Sequence, residues 1–203
     1  MLVTNREDIA EKVRLLRSHG MTSLTWDRHR GHAYTYDVVA LGYNYRIDEI
    51  RSALGLVQFG KLEANNSRRK AITEHYWAEL AEYGVSLPFK DCVGQPSYHI
   101  LPILLPISID RLKFIEAMKS DGIQTSIHYP PVHKFSYYRA RYPSISLPTT
   151  EDVAGREVTL PLYPGLTDEQ VNLVICSVGK ALESAGSAKL ESDIDSSAGY
   201  CMI

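Results

Sequence analysis

The sequence predicts an α/β protein, and three observations carry that prediction. After Gly84 the pattern alternates between extended and helical spacing, with Tyr98 to Leu105 reading as a strand, Ile109 to Ser120 as a helix and Ile123 to Tyr129 as a further strand. Before Gly84, one long helical stripe runs from about Asp48 through Ile72, Tyr76 and Leu80. Near the other end, Thr167-x-x-Gln170 is a capping-box pattern, opening a helix with Val171, Val174, Val178 and Leu182 on one face.

Each element follows from local chemistry. A short apolar stretch, Met1 to Val3, leads into a helix that Asn5 is expected to cap. Glu7 and Asp8 suit the positive end of its dipole, Ile9, Val13 and Leu16 share a face, and Gly20 supplies the stop. From Met21 to Asp37 the periodicity gives way to Trp26, Arg28, His29, Arg30, His32, Tyr34 and Tyr36, a long polar-aromatic loop of the kind that often carries function. The second helix places Ile50, Leu54 and Val57 on one stripe. Its basic cluster, Arg68, Arg69 and Lys70, is expected to be a solvated face rather than a binding patch. In the helix after the first strand, Leu112, Ile115 and Met118 are expected to point inward, with Gly122 as its stop. From Gly186 onward, serine and small charged residues predict a disordered tail.

Composition excludes several classes of function. With 44% hydrophobic residues, the 203-residue chain can form a real core in one or two domains. Its net charge is −2, and no long basic run interleaves with aromatics, so no nucleic-acid partner is expected. Cys92, Cys176 and Cys201 are far apart and odd in number, which predicts neither a disulfide framework nor a metal site and makes a reducing cytoplasm the default. The longest apolar stretch, Ile100 to Ile109, is broken by Pro102 and Pro106, so no membrane span is expected, and the N-terminus lacks the pattern of a signal peptide.

Three segments point to a specific chemistry. They are Leu16-Arg17-Ser18-His19-Gly20; Leu41-Gly42-Tyr43-Asn44-Tyr45-Arg46 continuing through Glu49, Ala53, Leu54, Gly55, Gln58, Lys61 and Leu62; and Gly122-Ile123 followed by His128-Tyr129-Pro130-Pro131 and His133. In order and spacing they resemble the DegT/DnrJ/EryC1/StrS family, the sugar aminotransferases of the pyridoxal 5'-phosphate (PLP)-dependent aspartate aminotransferase fold (fold type I). The resemblance covers about residues 1 to 185. It implies that the chain is a C-terminal portion of that fold. Residues 1–47 would end the large PLP-binding domain, 48–83 form a connecting helix, 84–186 form a small α/β domain and 187–203 form the tail.

The resemblance also implies roles. Family members are homodimers with active sites at the subunit interface. The asparagine matching Asn44 reaches the phosphate of the partner subunit's PLP, as an amide N–H₂ is suited to do. Arg46 is a second cofactor-side candidate, because its planar fork fits phosphate oxygens. The loop containing Arg28 and Tyr36 falls where the family places substrate-facing residues, the arginine suited to a diphosphate and the ring to stacking. His128 and Tyr129 match a family element near the active site, and His133 follows closely. On residue chemistry alone, a turn asparagine, an arginine paired to Asp48 or Glu49 and a structural histidine are the competing readings.

The lysine that holds PLP in the family lies shortly before a Gly-Glu-Gly-Gly turn, upstream of the segment resembling Met1 to Asn5. Lys12, Lys61 and Lys70 do not match it, so no catalytic lysine is assigned. The implied function is transfer of an amino group from an amino acid, with glutamate the expected donor, to a keto-sugar nucleotide, the chain alone being inactive. Two alternatives stand beside it: a PLP-dependent sugar dehydratase, in which histidine replaces the lysine, and a non-catalytic dimerisation or sugar-binding module.

Overall fold

A computed structural model describes residues 2–22 and 35–197, the side chains of 187–197 excepted. The chain divides into two compact units, Met1–Lys61 and Leu62–Ile203, with the boundary inside a long helix. The elements are α1 (Glu7–Leu16), α2 (Glu49–Glu79, continued by a 3₁₀ turn Leu80–Tyr83), β1 (Leu101–Leu104), α3 (Arg111–Ser120), a 3₁₀ turn Val132–Lys134, α4 (Ser136–Arg141), α5 (Pro148–Arg156), β2 (Glu157–Leu160) and α6 (Asp168–Ser197).

In the first unit, α1 begins one residue later than an Asn5 cap would require. Arg6 is the N-cap residue and no side chain caps the helix. The reason is local: the Arg6 N–H is taken by Thr4 Oγ1 (3.1 Å), and the Arg6 guanidinium pairs with Asp8 (2.7 Å). Ile9, Val13 and Leu16 are half-buried, and no residue of α1 is fully buried. Asp48 starts α2 by accepting from the Arg51 N–H at 2.8 Å. Ile50, Leu54 and Val57 do form a stripe, and it is exposed.

The second unit holds the core. β1 and β2 pair antiparallel with Leu101 opposite Leu160 and Ile103 opposite Val158. Single bridges extend the sheet on both sides, Ser86 to Leu104 and Ser126 to Thr159. The strand expected over Ile123 to Tyr129 is therefore reduced to one bridge at Ser126. Pro102 is tolerated inside β1 because its partner Thr159 donates its N–H to Ser126 on the far side (2.7 Å), so the missing donor breaks no rung between β1 and β2. The end of α2 contributes Ile72, Tyr76 and Leu80 to this core, as its stripe predicts.

Helix α3 starts where Asp110 Oδ1 accepts from the N–H groups of Leu112 (2.9 Å) and Lys113 (3.2 Å). Its inward face is not the one expected. Phe114 and Met118 are fully buried and Ile115 packs at the edge of the core, whereas Leu112 is 67% exposed. Positions 114, 115 and 118 fit the i, i+1, i+4 spacing of one stripe, and that stripe excludes 112. The capping box of α6 forms in both directions, Thr167 N–H to Gln170 Oε1 (3.0 Å) and Gln170 N–H to Thr167 Oγ1 (3.3 Å). Val171, Val174, Val178 and Leu182 are buried as expected. The helix continues to Ser197, through part of the stretch expected to be disordered. Ala188, Lys189, Leu190 and Glu191 are strong helix formers, which serine-rich composition alone understates.

The basic cluster is more than a solvated face. Arg68 donates to Leu166 O (2.6 Å) and Asp168 (2.8 Å), and Arg69 donates to Ser97 O (3.2 Å). Both tie α2 to distant parts of the same unit; only Lys70, paired to Glu74 at 3.7 Å, stays on its own helix. No helix among the described residues is long and apolar enough to cross a membrane.

The orientation of α3 generates a prediction. Phe114→Ala should cost about 3–5 kcal/mol in urea unfolding, the usual cost of emptying a fully buried ring site. Leu112→Ala should stay within about 0.5 kcal/mol. Equal losses in the two variants would contradict the burial pattern.

Candidate functional site

The two family-like motifs of the first unit meet through their backbones. Tyr43 N–H donates to Leu16 O (2.6 Å), His19 N–H to Tyr43 O (2.9 Å) and Tyr45 N–H to Arg17 O (2.9 Å), so Ser18 and Asn44 lie side by side. Two glycines permit this. A Cβ on Gly20, whose φ is +70°, would sit 1.9 Å from Ala40 O, and a Cβ on Gly42 would sit 2.1 Å from the Gly20 nitrogen. Any other residue at either position would push the two segments apart.

Extended backbone then sorts the side chains. Tyr43 and Tyr45 share one face and stack, with ring centroids 5.1 Å apart and planes 10° from parallel. Asn44 and Arg46 share the other, where Arg46 Nε donates to Asn44 Oδ1 at 3.3 Å. That bond engages the amide oxygen and orients the Asn44 N–H₂. Asn44 is exposed. Tyr36 is also exposed, in the segment joined to the first motif through Met21 and Val38. Arg28 lies outside the described residues.

In the second unit, His128 and Tyr129 come together edge to face, with centroids 4.9 Å apart, and Tyr129 is largely exposed. His128 lines a cavity of about 200 Å³ with His99, Gln124, Ser126 and Thr159. Its backbone N–H donates to Glu157 Oε2 (2.9 Å), and its Nδ1 lies 2.8 Å from Thr159 Oγ1. Glu157 and Thr159 are each 5% exposed. The cavity thus presents two imidazoles, an amide and hydroxyls, groups suited to a hydroxylated ligand.

His133 is nearby in sequence but does not line that cavity. Its Nε2 is 3.0 Å from Glu151 Oε1, and Lys134 Nζ is 2.6 Å from Glu151 Oε2. Hydrogen bonds from Lys134, from His133 and from the Leu147 N–H hold the Glu151 carboxyl down at about 2, against an ordinary 4.5. This trio clamps the 3₁₀ turn Val132–Lys134 to α5 and assigns His133 a structural position. Among the described residues, no group of three or more His, Cys, Asp and Glu side chains is placed to hold a metal.

Sequence reasoning passed over Glu157 and Thr159. Their signal was present, since Glu157-Val158-Thr159-Leu160 alternates with period two and puts the carboxylate and hydroxyl on one face. Pro148 at the first turn of α5 was an unused helix-start signal.

Solved structures similar to this chain are fold type I aminotransferases, and each is matched over about half its length, consistent with a C-terminal portion of that fold. A model of the DegT/DnrJ/EryC1/StrS aminotransferase family matches residues 1–179, and the chain belongs to that family. It is 34% identical over 187 residues to the uncharacterised protein MJ1066 of Methanocaldococcus jannaschii, covering 89% of this chain and 48% of the relative. Its structure is similar to Helicobacter pylori PseC, an aminotransferase involved in the biosynthesis of pseudoaminic acid, with a TM-score of 0.79 and 29% identity over 90% of this chain and 48% of that one. It is also similar to S. venezuelae DesV in complex with a ketimine intermediate, with a TM-score of 0.75 and 28% identity over 89% and 46% of the two chains. The chain therefore spans about half the length of the relatives it matches.

Two predictions follow from this geometry. Gly42→Ala should displace the paired motifs, at a cost of about 1–3 kcal/mol, and strip hydrogen-exchange protection from the Tyr43 and Tyr45 amides. A Cβ on Gly55 meets nothing within 4 Å, so Gly55→Ala in α2 is the control. Wild-type protection in Gly42→Ala would show that the close approach is not required. For Glu151, the folded pKa is depressed, so its contribution to stability is present above about 4.5 and lost as pH falls towards about 2. Across that window the wild-type urea midpoint should fall towards that of Glu151→Gln; a gap independent of pH would contradict the assignment.

Proposed function

We propose that this chain is the C-terminal portion of an aminotransferase that moves an amino group from an amino acid, glutamate, to a keto-sugar nucleotide. The carrying observation is the family match over residues 1–179 together with the folded Leu41–Arg46 motif, which leaves the Asn44 amide oriented and exposed. PLP, when bound, would carry the amino group between donor and acceptor. The residues present fit part of that cofactor's site, because Asn44 offers N–H donors and Arg46 a guanidinium, both suited to a phosphate.

In this reading Asn44 donates to the phosphate of the cofactor on the partner subunit of a homodimer, and Arg46 steadies Asn44. The exposed stripe Ile50, Leu54 and Val57 is consistent with a surface that another polypeptide surface covers. Arg28 and Tyr36 are assigned to the substrate side of the same unit. His128 and Tyr129 belong to the sugar-facing side of the second unit, where the polar cavity can orient hydroxyls. The proposed setting is cytoplasmic nucleotide-sugar metabolism, with neither nucleic acid nor membrane as partner.

The chain by itself is proposed to be inactive. Lys12 lies in α1, Lys61 in α2, and Lys70 is paired to Glu74. None lines the polar cavity. Incubation with PLP, borohydride reduction and mass spectrometry should therefore give no single stoichiometric lysine adduct; one such adduct accompanied by transaminase turnover would refute the proposal. In a parent-length protein carrying the lysine segment, Asn44→Ala should weaken PLP retention by roughly 1.5–3 kcal/mol, the value of a hydrogen bond to a charged acceptor. Unchanged retention would remove Asn44 from the cofactor site.

A further inference from the structure

Among the described residues, Glu157 is the charged side chain found in the core of the second unit. A carboxylate placed there needs donors, and it has two: the His128 N–H at Oε2 and the Thr159 hydroxyl at Oε1. The Thr159 hydroxyl donates to Glu157 Oε1, so its single hydrogen is committed there. Thr159 Oγ1 can then offer only lone pairs to His128 Nδ1, 2.8 Å away. In that arrangement a neutral ring carries its proton on Nδ1 and its lone pair on Nε2, for which no hydrogen bond to a described residue is formed.

We infer that Glu157 and Thr159 are positioning residues that hold His128 as the Nδ1–H tautomer, so that Nε2 is a fixed hydrogen-bond acceptor for a ligand hydroxyl in the cavity lined by His99, Gln124 and Ser126. The inference rests on the reading of this cavity as sugar-facing, and it deepens that reading by specifying which partner atom the site accepts. A hydroxyl can donate to Nε2, whereas a ketone or ether oxygen at the same place leaves two acceptors facing each other. The site would thus discriminate by the orientation of O–H groups, with Glu157 setting the direction of the chain from inside the core.

The test is made on the ¹⁵N-labelled chain at about pH 8, above the ordinary imidazole range, using two-bond ¹H–¹⁵N correlations and a His128→Gln spectrum for assignment. The expected result is a neutral His128 ring protonated on Nδ1. Thr159→Ser keeps the hydroxyl and should keep this tautomer, whereas Thr159→Val removes it and should leave Nε2–H, the form usually favoured by free imidazole, in the majority. Glu157→Gln, whose amide can donate and so reverse the chain, should make Nδ1–H the minor form; it decides the matter if the valine variant does not fold. A wild-type ring protonated on Nε2 or on both nitrogens overturns the inference, as does a folded valine or glutamine variant with the wild-type tautomer. The readout needs neither cofactor nor turnover, so failure of the aminotransferase proposal leaves a distinct signature from failure of the relay.

Discussion

The second unit depends on strand β2, which buries a carboxylate and a hydroxyl beside Val158 and Leu160. Removing an unpaired charge from water is costly, and a buried pair broken on one side costs several kcal/mol. Glu157 escapes that penalty by accepting from the His128 backbone and the Thr159 hydroxyl. The His128 N–H bond to Glu157 and the His128 Nδ1 contact with Thr159 draw the segment after Ser126 onto the sheet edge, where Ser126 forms a single bridge. Packing and site are therefore one construction: the core supplies the strand, the strand supplies the carboxylate, and the carboxylate positions the imidazole.

A second constraint, steric rather than electrostatic, shapes the first unit. Gly20 and Gly42 let two backbone segments approach more closely than any Cβ allows. The consequence is directional. With the backbone of Tyr43 and Tyr45 bonded to the end of α1, the rings stack on one side and Asn44 faces the other with Arg46. A flexible turn carrying the same residues would present the amide in many directions, and fixing one of them would cost conformational entropy.

The units differ in how completely they bury their apolar residues. In the second, Tyr76, Phe114 and Val178 have no appreciable exposure, whereas in the first Leu41, Ile50, Leu56 and Phe59 are largely exposed. Spanning about half the length of its relatives, the chain presents in its first unit an apolar surface typical of interfaces.

Much of this was legible in the residues. The capping box Thr167–Gln170, the Ile72–Tyr76–Leu80 stripe and the valines of α6 follow from short-range periodicity, because i, i+3 and i+4 neighbours share a face whatever surrounds the helix. The segments Leu16–Gly20, Leu41–Leu62 and Gly122–His133 pointed to the family by their order and spacing together, and the family match over residues 1–179 bears that out. What local chemistry does not encode is which of several possible faces meets a partner distant in sequence. Leu112 and Phe114 are both apolar, and only docking of α3 against α6 and the sheet buries the second and leaves the first in water. Arg68 looks like any solvated base until Leu166 O and Asp168, about a hundred residues on, arrive beside it. His128 was visible as a candidate, but its tautomer depends on Thr159 and Glu157, brought within hydrogen-bonding distance by the pairing of strands. The sequence by itself determined the family, helices α1, α2 and α3, the start of α6, and the residues worth watching. Tertiary structure alone decided which of them are buried, which are paired and which way their protons point, because those properties belong to contacts between segments and not to the segments themselves.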